Sequence, residues 1–93
     1  MLVWKDGKGP DEQAPFDIDW SARIGAETII TSDWRITGGD GLLNIMSQNH
    51  AGALAQVTLS GGTLGVVYEL QNMISTATCP ELTEKAQLPI RNR

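Results

Sequence analysis

Alternation of apolar and polar residues with a period of two, cut at short intervals by glycine, constrains this chain more than any other feature. Phe16-Asp17-Ile18-Asp19-Trp20 puts Phe16, Ile18 and Trp20 on one face and both aspartates on the other, the pattern of a half-buried strand. Residues 28–36 are rich in β-branched and aromatic side chains and read as a second strand, with Thr28, Ile30, Ser32, Trp34 and Ile36 sharing a face. Gly38-Gly39-Asp40-Gly41 then breaks the chain, because three glycines in four positions make a regular element costly. Residues 42–46 form a short apolar run that reads as a third strand, and residues 53–59 read as a fourth, alternating with Ala53, Ala55, Val57 and Leu59 on one side. After the Gly61-Gly62-Thr63-Leu64-Gly65 turn, residues 66–76 are the longest strand candidate, with Tyr68, Leu70, Asn72 and Ile74 in phase. Residues 86–91 are a candidate closing strand, which Pro89 restricts to an edge or to a position with its nitrogen pointing outward. No segment sustains a helical period, and residues 21–26 suffice for one turn.

Short strands spaced by glycine turns at intervals of roughly ten residues predict an all-β, small antiparallel sandwich. Its expected core is Phe16, Ile18, Trp20, Ile30, Trp34, Val57, Leu59, Tyr68, Leu70 and Ile74. Residues 5–15 carry two glycines, two prolines and a run of charges, so they are expected to bury little and to run as an arm or loop. The chain therefore divides into a flexible N-terminal arm, 1–15, and a single domain, 16–93. Tyr68 follows a glycine turn at the start of a long late strand. Two readings stand there: a hydroxyl returned to a nearby backbone group, as in the tyrosine corner of immunoglobulin-like sandwiches, or a core aromatic with its hydroxyl in water.

Ninety-three residues leave room for one small domain. Cys79 and His50 are the only residues of their kinds, which excludes an internal disulfide and zinc-finger architectures. A net charge of -4 argues against a phosphate-binding surface, so no nucleic-acid partner is expected. No run approaches the roughly 20 apolar residues of a membrane-spanning helix, and the N-terminus shows no apolar signal core. These features predict a soluble domain made inside a cell, with no membrane partner.

The candidate chemistry is thin. His50 lies in the polar stretch 47–52, which reads as a turn, and is expected on the surface. Cys79 is flanked by Pro80, with Glu81 and Glu84 nearby, the reverse of the electropositive setting that activates a thiol. Asp17 and Asp19 share an outer strand face, and two carboxylates do not complete a calcium site of six to eight oxygens. The glycine-rich turn at 61–65 lacks the lysine of a phosphate-binding loop and opens no helix. No catalytic, metal or cofactor residue is expected. Trp20 and Trp34 fall on apolar faces and read as core, whereas an exposed indole would favour carbohydrate binding. Trp4 follows Leu2 and Val3 ahead of the polar arm. These three are the candidate interface, with Trp4 as an anchor in a neighbouring subunit, or else the arm folds back and adds a strand to the sheet.

Several blocks, in order and spacing, resemble a family of small tailed-bacteriophage and prophage proteins of the fibre–tail adaptor type. The resemblance is carried by Phe16-Asp17-Ile18-Asp19-Trp20-Ser21, Gly25-Ala26-Glu27-Thr28-Ile29 and Thr31-Ser32-Asp33-Trp34. It continues through Leu59-Ser60-Gly61-Gly62-Thr63-Leu64-Gly65, Tyr68 and Ile74-Ser75-Thr76. The chain departs from the pattern at Gly7, where proline is usual, at Phe16, where tyrosine is usual, and across residues 77–85. The resemblance implies an immunoglobulin-like (fibronectin III-like) fold and a non-enzymatic virion connector made in the bacterial host cytoplasm. It also implies tail, neck or fibre proteins as partners, in a homo-oligomeric ring. The competing expectation is a carbohydrate- or surface-binding module of a phage particle.

Overall fold

A computed structural model of the chain describes residues 2–92. Its elements are β1 (Leu2–Val3), β2 (Ala14–Asp19), α1 (Ser21–Ile24), β3 (Thr31–Gly38), β4 (Leu43–Ala51), β5 (Leu54–Gly61), β6 (Val67–Ser75) and β7 (Leu82–Pro89). They form two sheets, one ordered β1-β7-β6-β3 and the other β2-β5-β4. Among the described residues the strand ladders are antiparallel except β1 with β7, which is parallel and is followed by an isolated parallel bridge from Lys8 to Ile90. A wholly antiparallel sandwich is therefore corrected at this one ladder, where the N-terminus returns to lie beside the last strand.

The inner faces share one core. Ile18, Trp20, Leu43, Ala55, Val57 and Leu59 meet Trp34, Tyr68, Leu70, Ile74, Ala86 and Leu88, all buried. The period-two reading of β2, β5 and β6 holds residue by residue. Tyr68, Leu70, Asn72 and Ile74 point inward along β6 and are at most 1% exposed. The single helical turn at α1 closes the end of the sandwich with Ile24. Phe16 is only partly buried, stacked on Trp4 at the margin of the core.

Four expectations are corrected. Ile30 is 56% exposed and its neighbour Ile29 is buried. The strand begins at Thr31, and just before it the Ile29 N–H turns across to the Gly52 carbonyl of the opposite sheet. That crossing sets the local phase, so extrapolating the alternation of Trp34 and Ile36 back to position 30 fails. Second, residues 47–51 are not a turn: β4 runs on through His50 to Ala51, and the chain reverses at Gly52. As an edge strand with almost every residue exposed, β4 needs no apolar alternation, because its ladder to β5 supplies the backbone bonds. Third, β7 starts at Leu82, four residues before the closing strand expected at 86–91. Fourth, Gly7, Lys8 and Gly9 are buried where the arm was expected to bury little.

The N-terminal segment is tied down at each step. Trp4 N–H donates to the Gln87 carbonyl at 3.0 Å, Lys8 N–H donates to that of Pro89 at 3.3 Å, and Arg91 N–H donates to that of Lys8 at 2.9 Å. The Lys8 ammonium reaches across the end of the sandwich, donating at 2.6 Å to the carbonyls of both Gly9 and Gly61. Burial pushes this ammonium's pKa down, opposed by the nearby carboxylates of Glu12 and Asp11.

Candidate functional site

A sandwich of this kind offers other molecules its sheet edges and the clefts between them. Two flanks are open, and on each a side chain from one sheet bonds to the edge strand of the other. On the first, the indole N–H of Trp4 donates to the Asp17 carbonyl of β2 at 3.2 Å. On the second, the amide oxygen of Gln48, on β4, accepts from the Trp34 N–H of β3 at 3.1 Å. Each bond occupies a backbone group that an added strand would otherwise use.

The first flank holds a groove of about 510 Å³, floored by Leu2, Trp4, Ile18 and Trp20 and rimmed by Asp17, Asp19, Arg23 and Glu84. Arg23 closes one end. Its guanidinium lies 5.1 Å from the Trp20 ring centroid and donates to Glu84 at 3.1 Å. Asp19 accepts from the Ser21 N–H at 2.9 Å, and this bond, reinforced by the Ser21 hydroxyl, holds its carboxyl below the usual carboxylate range. Asp17 and Asp19 both face outward and are exposed, as the alternation implied.

The three tryptophans divide by depth. Trp20 and Trp34 are 1% and 3% exposed. The Trp20 indole donates to the Asn72 side-chain oxygen at 2.9 Å. Asn72 in turn donates to the Ser32 hydroxyl at 3.0 Å and the Asp33 carbonyl at 3.1 Å. This satisfied polar link crosses from one sheet to the other, as a buried amide requires. Among the described residues the Trp34 indole N–H is buried without a partner, a cost that its ring packing must exceed. Trp4 is half-buried, 4.9 Å from the Phe16 ring and 5.9 Å from that of Trp34. Leu2 and Val3 are 38% and 42% exposed.

At the opposite end Tyr68 forms a corner. Its hydroxyl accepts from the Thr63 N–H at 2.9 Å and donates to the Asp40 carboxylate. Asp40 also accepts from the Thr63 hydroxyl at 2.5 Å and the Leu42 N–H at 3.1 Å. Those donors, Thr63 first and Tyr68 next, hold the Asp40 carboxyl below its ordinary range. The turn must be glycine to reach the ring. Gly39 has φ +126°, and a Cβ there would sit 2.7 Å from the Tyr68 Cε1, while one on Gly62, at φ +98°, would sit 2.8 Å from the Ile90 Cδ1.

The remaining reactive residues are placed apart. His50 is exposed on β4. Cys79 is partly buried in the loop after β6, its N–H donating to the Thr76 hydroxyl at 3.1 Å. Glu27 clamps that loop by accepting from the Thr78 hydroxyl at 2.7 Å, and this bond, with one from Thr76, lowers its carboxyl pKa. Among the described residues no three of His, Cys, Asp and Glu gather as metal ligands, and no helix is long and apolar enough to cross a membrane. Sequence reasoning missed Lys8, whose only signal was a lysine between two glycines, and the Gln48 bond, which no pattern announces.

These features define a small two-sheet β domain whose distinguishing surfaces are strand edges and a cleft between them. A profile of the family described as "Podophage GP4 fiber-tail adaptor protein gp77" matches residues 8–89. The chain belongs to this family of phage tail-fibre adaptor structural proteins. No curated protein matches it.

Proposed function

We propose that the chain is a non-enzymatic virion component that connects tail and fibre, or neighbouring tail and neck parts. The observation that carries this reading is the family match over residues 8–89. The depth of Trp20 and Trp34 supports it, since a carbohydrate- or surface-binding module would present an indole and these two serve the core. On this reading the fold is immunoglobulin-like. Support comes from the strand order: β2-β5-β4 and β3-β6-β7 follow the B-E-D and C-F-G orders of such domains, with β1 added alongside β7. The Tyr68 corner, at the start of the strand equivalent to F, supports the same assignment.

The partners are other virion proteins, in a homo-oligomeric ring within the particle, with no nucleic acid, membrane or cofactor. The chain is made in the bacterial host cytoplasm and works in the virion. Leu2 and Val3 supply exposed apolar contact beside the cleft, with Trp4 behind them. The test is to assemble particles without this protein. Tails that form but lack fibres, and regain them when the chain is supplied, support the connector. Fibres that stay attached in its absence overturn it.

A further inference from the structure

The groove on the first flank carries unmatched charge above an apolar floor. Its rim has the carboxylates of Asp17, Asp19 and Glu84 against the single guanidinium of Arg23. That guanidinium is engaged by Glu84 at 3.1 Å and by the Thr83 carbonyl at 3.2 Å. Among the described residues, no basic side chain pairs with Asp17 or Asp19. Both are exposed on the same face of β2, two positions and so about 7 Å apart. Below them the free apolar surface belongs to Leu2, 38% exposed, and to the half-buried Trp4. Trp20 adds little, being 1% exposed beneath the Arg23 guanidinium.

We propose that this groove receives an arginine side chain from a partner virion protein, with its stem on Leu2 and Trp4 and its guanidinium held by Asp17 and Asp19. Two observations identify the occupant. The first is charge complementarity: a neutral or acidic segment would leave both carboxylates unmatched, in a chain whose net charge is already -4, whereas a basic one matches them. The second is that Arg23 makes the same kind of contact within the chain, its guanidinium 5.1 Å from the Trp20 ring centroid and bonded to a carboxylate. Arginine suits the site better than lysine, because its planar head stacks on an indole and offers a fork of donors wide enough to serve two carboxylates. Its methylene stem covers apolar surface while the charged head stays at the rim. That the partner is a virion protein rests on the connector reading; the preference for a guanidinium rests on the groove alone.

Titrating the full chain with the peptide N-acetyl-Leu-Arg-Leu-amide, read by amide chemical shifts, tests this. Shifts are expected at residues 2–4 and 17–23, with a dissociation constant on the order of 1 mM, weakening as sodium chloride rises from about 0.05 to 0.5 M. The same peptide with citrulline in place of arginine keeps the shape and removes the charge, and should bind about tenfold more weakly. Asp17→Asn with Asp19→Asn should weaken the arginine peptide by a similar factor; the asparagine oxygen can still accept from Ser21, and a cooperative urea transition shows that the variant folds. No shift at these residues up to about 10 mM peptide, equal binding of the citrulline peptide, or undiminished binding to the double variant overturns the proposal. Maltohexaose shifting the same amides more strongly than the arginine peptide would overturn it too, by giving the groove to a neutral glycan. The titration needs no particle, so its failure leaves the connector reading intact, and fibres that attach without this chain would overturn that reading alone.

Discussion

Replacing Tyr68 by phenylalanine isolates one hydrogen-bonding group at the end of the sandwich without disturbing the ring that fills it. The ring is wholly buried, and phenylalanine keeps its volume and its contact with the Gly39 backbone. What is lost is the acceptor of the Thr63 N–H at 2.9 Å and a donor to Asp40. Asp40 is exposed and keeps the Thr63 hydroxyl and the Leu42 N–H, so water replaces the lost donor at little cost. Thr63 is half-buried, and its N–H recovers a partner less completely. The expected loss is one neutral hydrogen bond and part of a desolvation penalty, about 1–2 kcal/mol. For a domain of this size, each kcal/mol lowers the melting temperature by about 4–8 °C. The urea midpoint should drop by about 0.5–1 M at unchanged slope. Tryptophan fluorescence is the natural probe, because Trp20 and Trp34 are both buried. A midpoint equal to the parent's would mean that the hydroxyl bonds carry no net stability, and the corner would be only a way of placing the ring.

Lys8→Met keeps the buried stem but strands the Gly9 and Gly61 carbonyls; we expect a loss of about 2 kcal/mol and faster proteolysis within the first ten residues, and parental cleavage rates would refute the staple. Trp34→Ala removes a ring 3% exposed and should cost about 3 kcal/mol or more, while Ile30→Ala, at a side chain 56% exposed, should shift the urea midpoint negligibly; equal effects would contradict the strand phase. Asp19, Glu27 and Asp40 all have carboxyls held below their ordinary values by hydrogen bonds. A depressed folded pKa gives stability that is present above the unfolded value and lost as pH falls through the folded one. The urea midpoint should thus be flat from about pH 7 to 5 and decline below about pH 4, and a midpoint unchanged in that acid range would show that these bonds are not held.

Where one face of a strand is buried and the other wet, the sequence records the structure. Phe16 to Trp20, Ala55 to Leu59 and Tyr68 to Ile74 are read correctly because burial imposes alternation on them. The second half of β4 is hidden for the complementary reason: past Met46 every residue of this edge strand is exposed, so residues 47–51 have no apolar face to write down and resemble a turn. The exposure of Ile30 follows from a tertiary crossing at Ile29, which local pattern does not encode. The two flank bonds, Trp4 to Asp17 and Gln48 to Trp34, join residues 13 and 14 positions apart through geometry alone. Lys8 is buried because two carbonyls converge on its ammonium, and those carbonyls belong to Gly9 and the distant Gly61. The family blocks, by contrast, were legible, and the profile match over residues 8–89 covers them.

The central claim is that this chain sits between two virion components. Cross-linking of intact particles through exposed lysines, Lys5 and Lys85, followed by mass spectrometry, tests it most directly. The account predicts links from this chain to both a tail protein and a fibre protein in the same particles. Its absence from purified particles, or links to one side alone, would contradict the account.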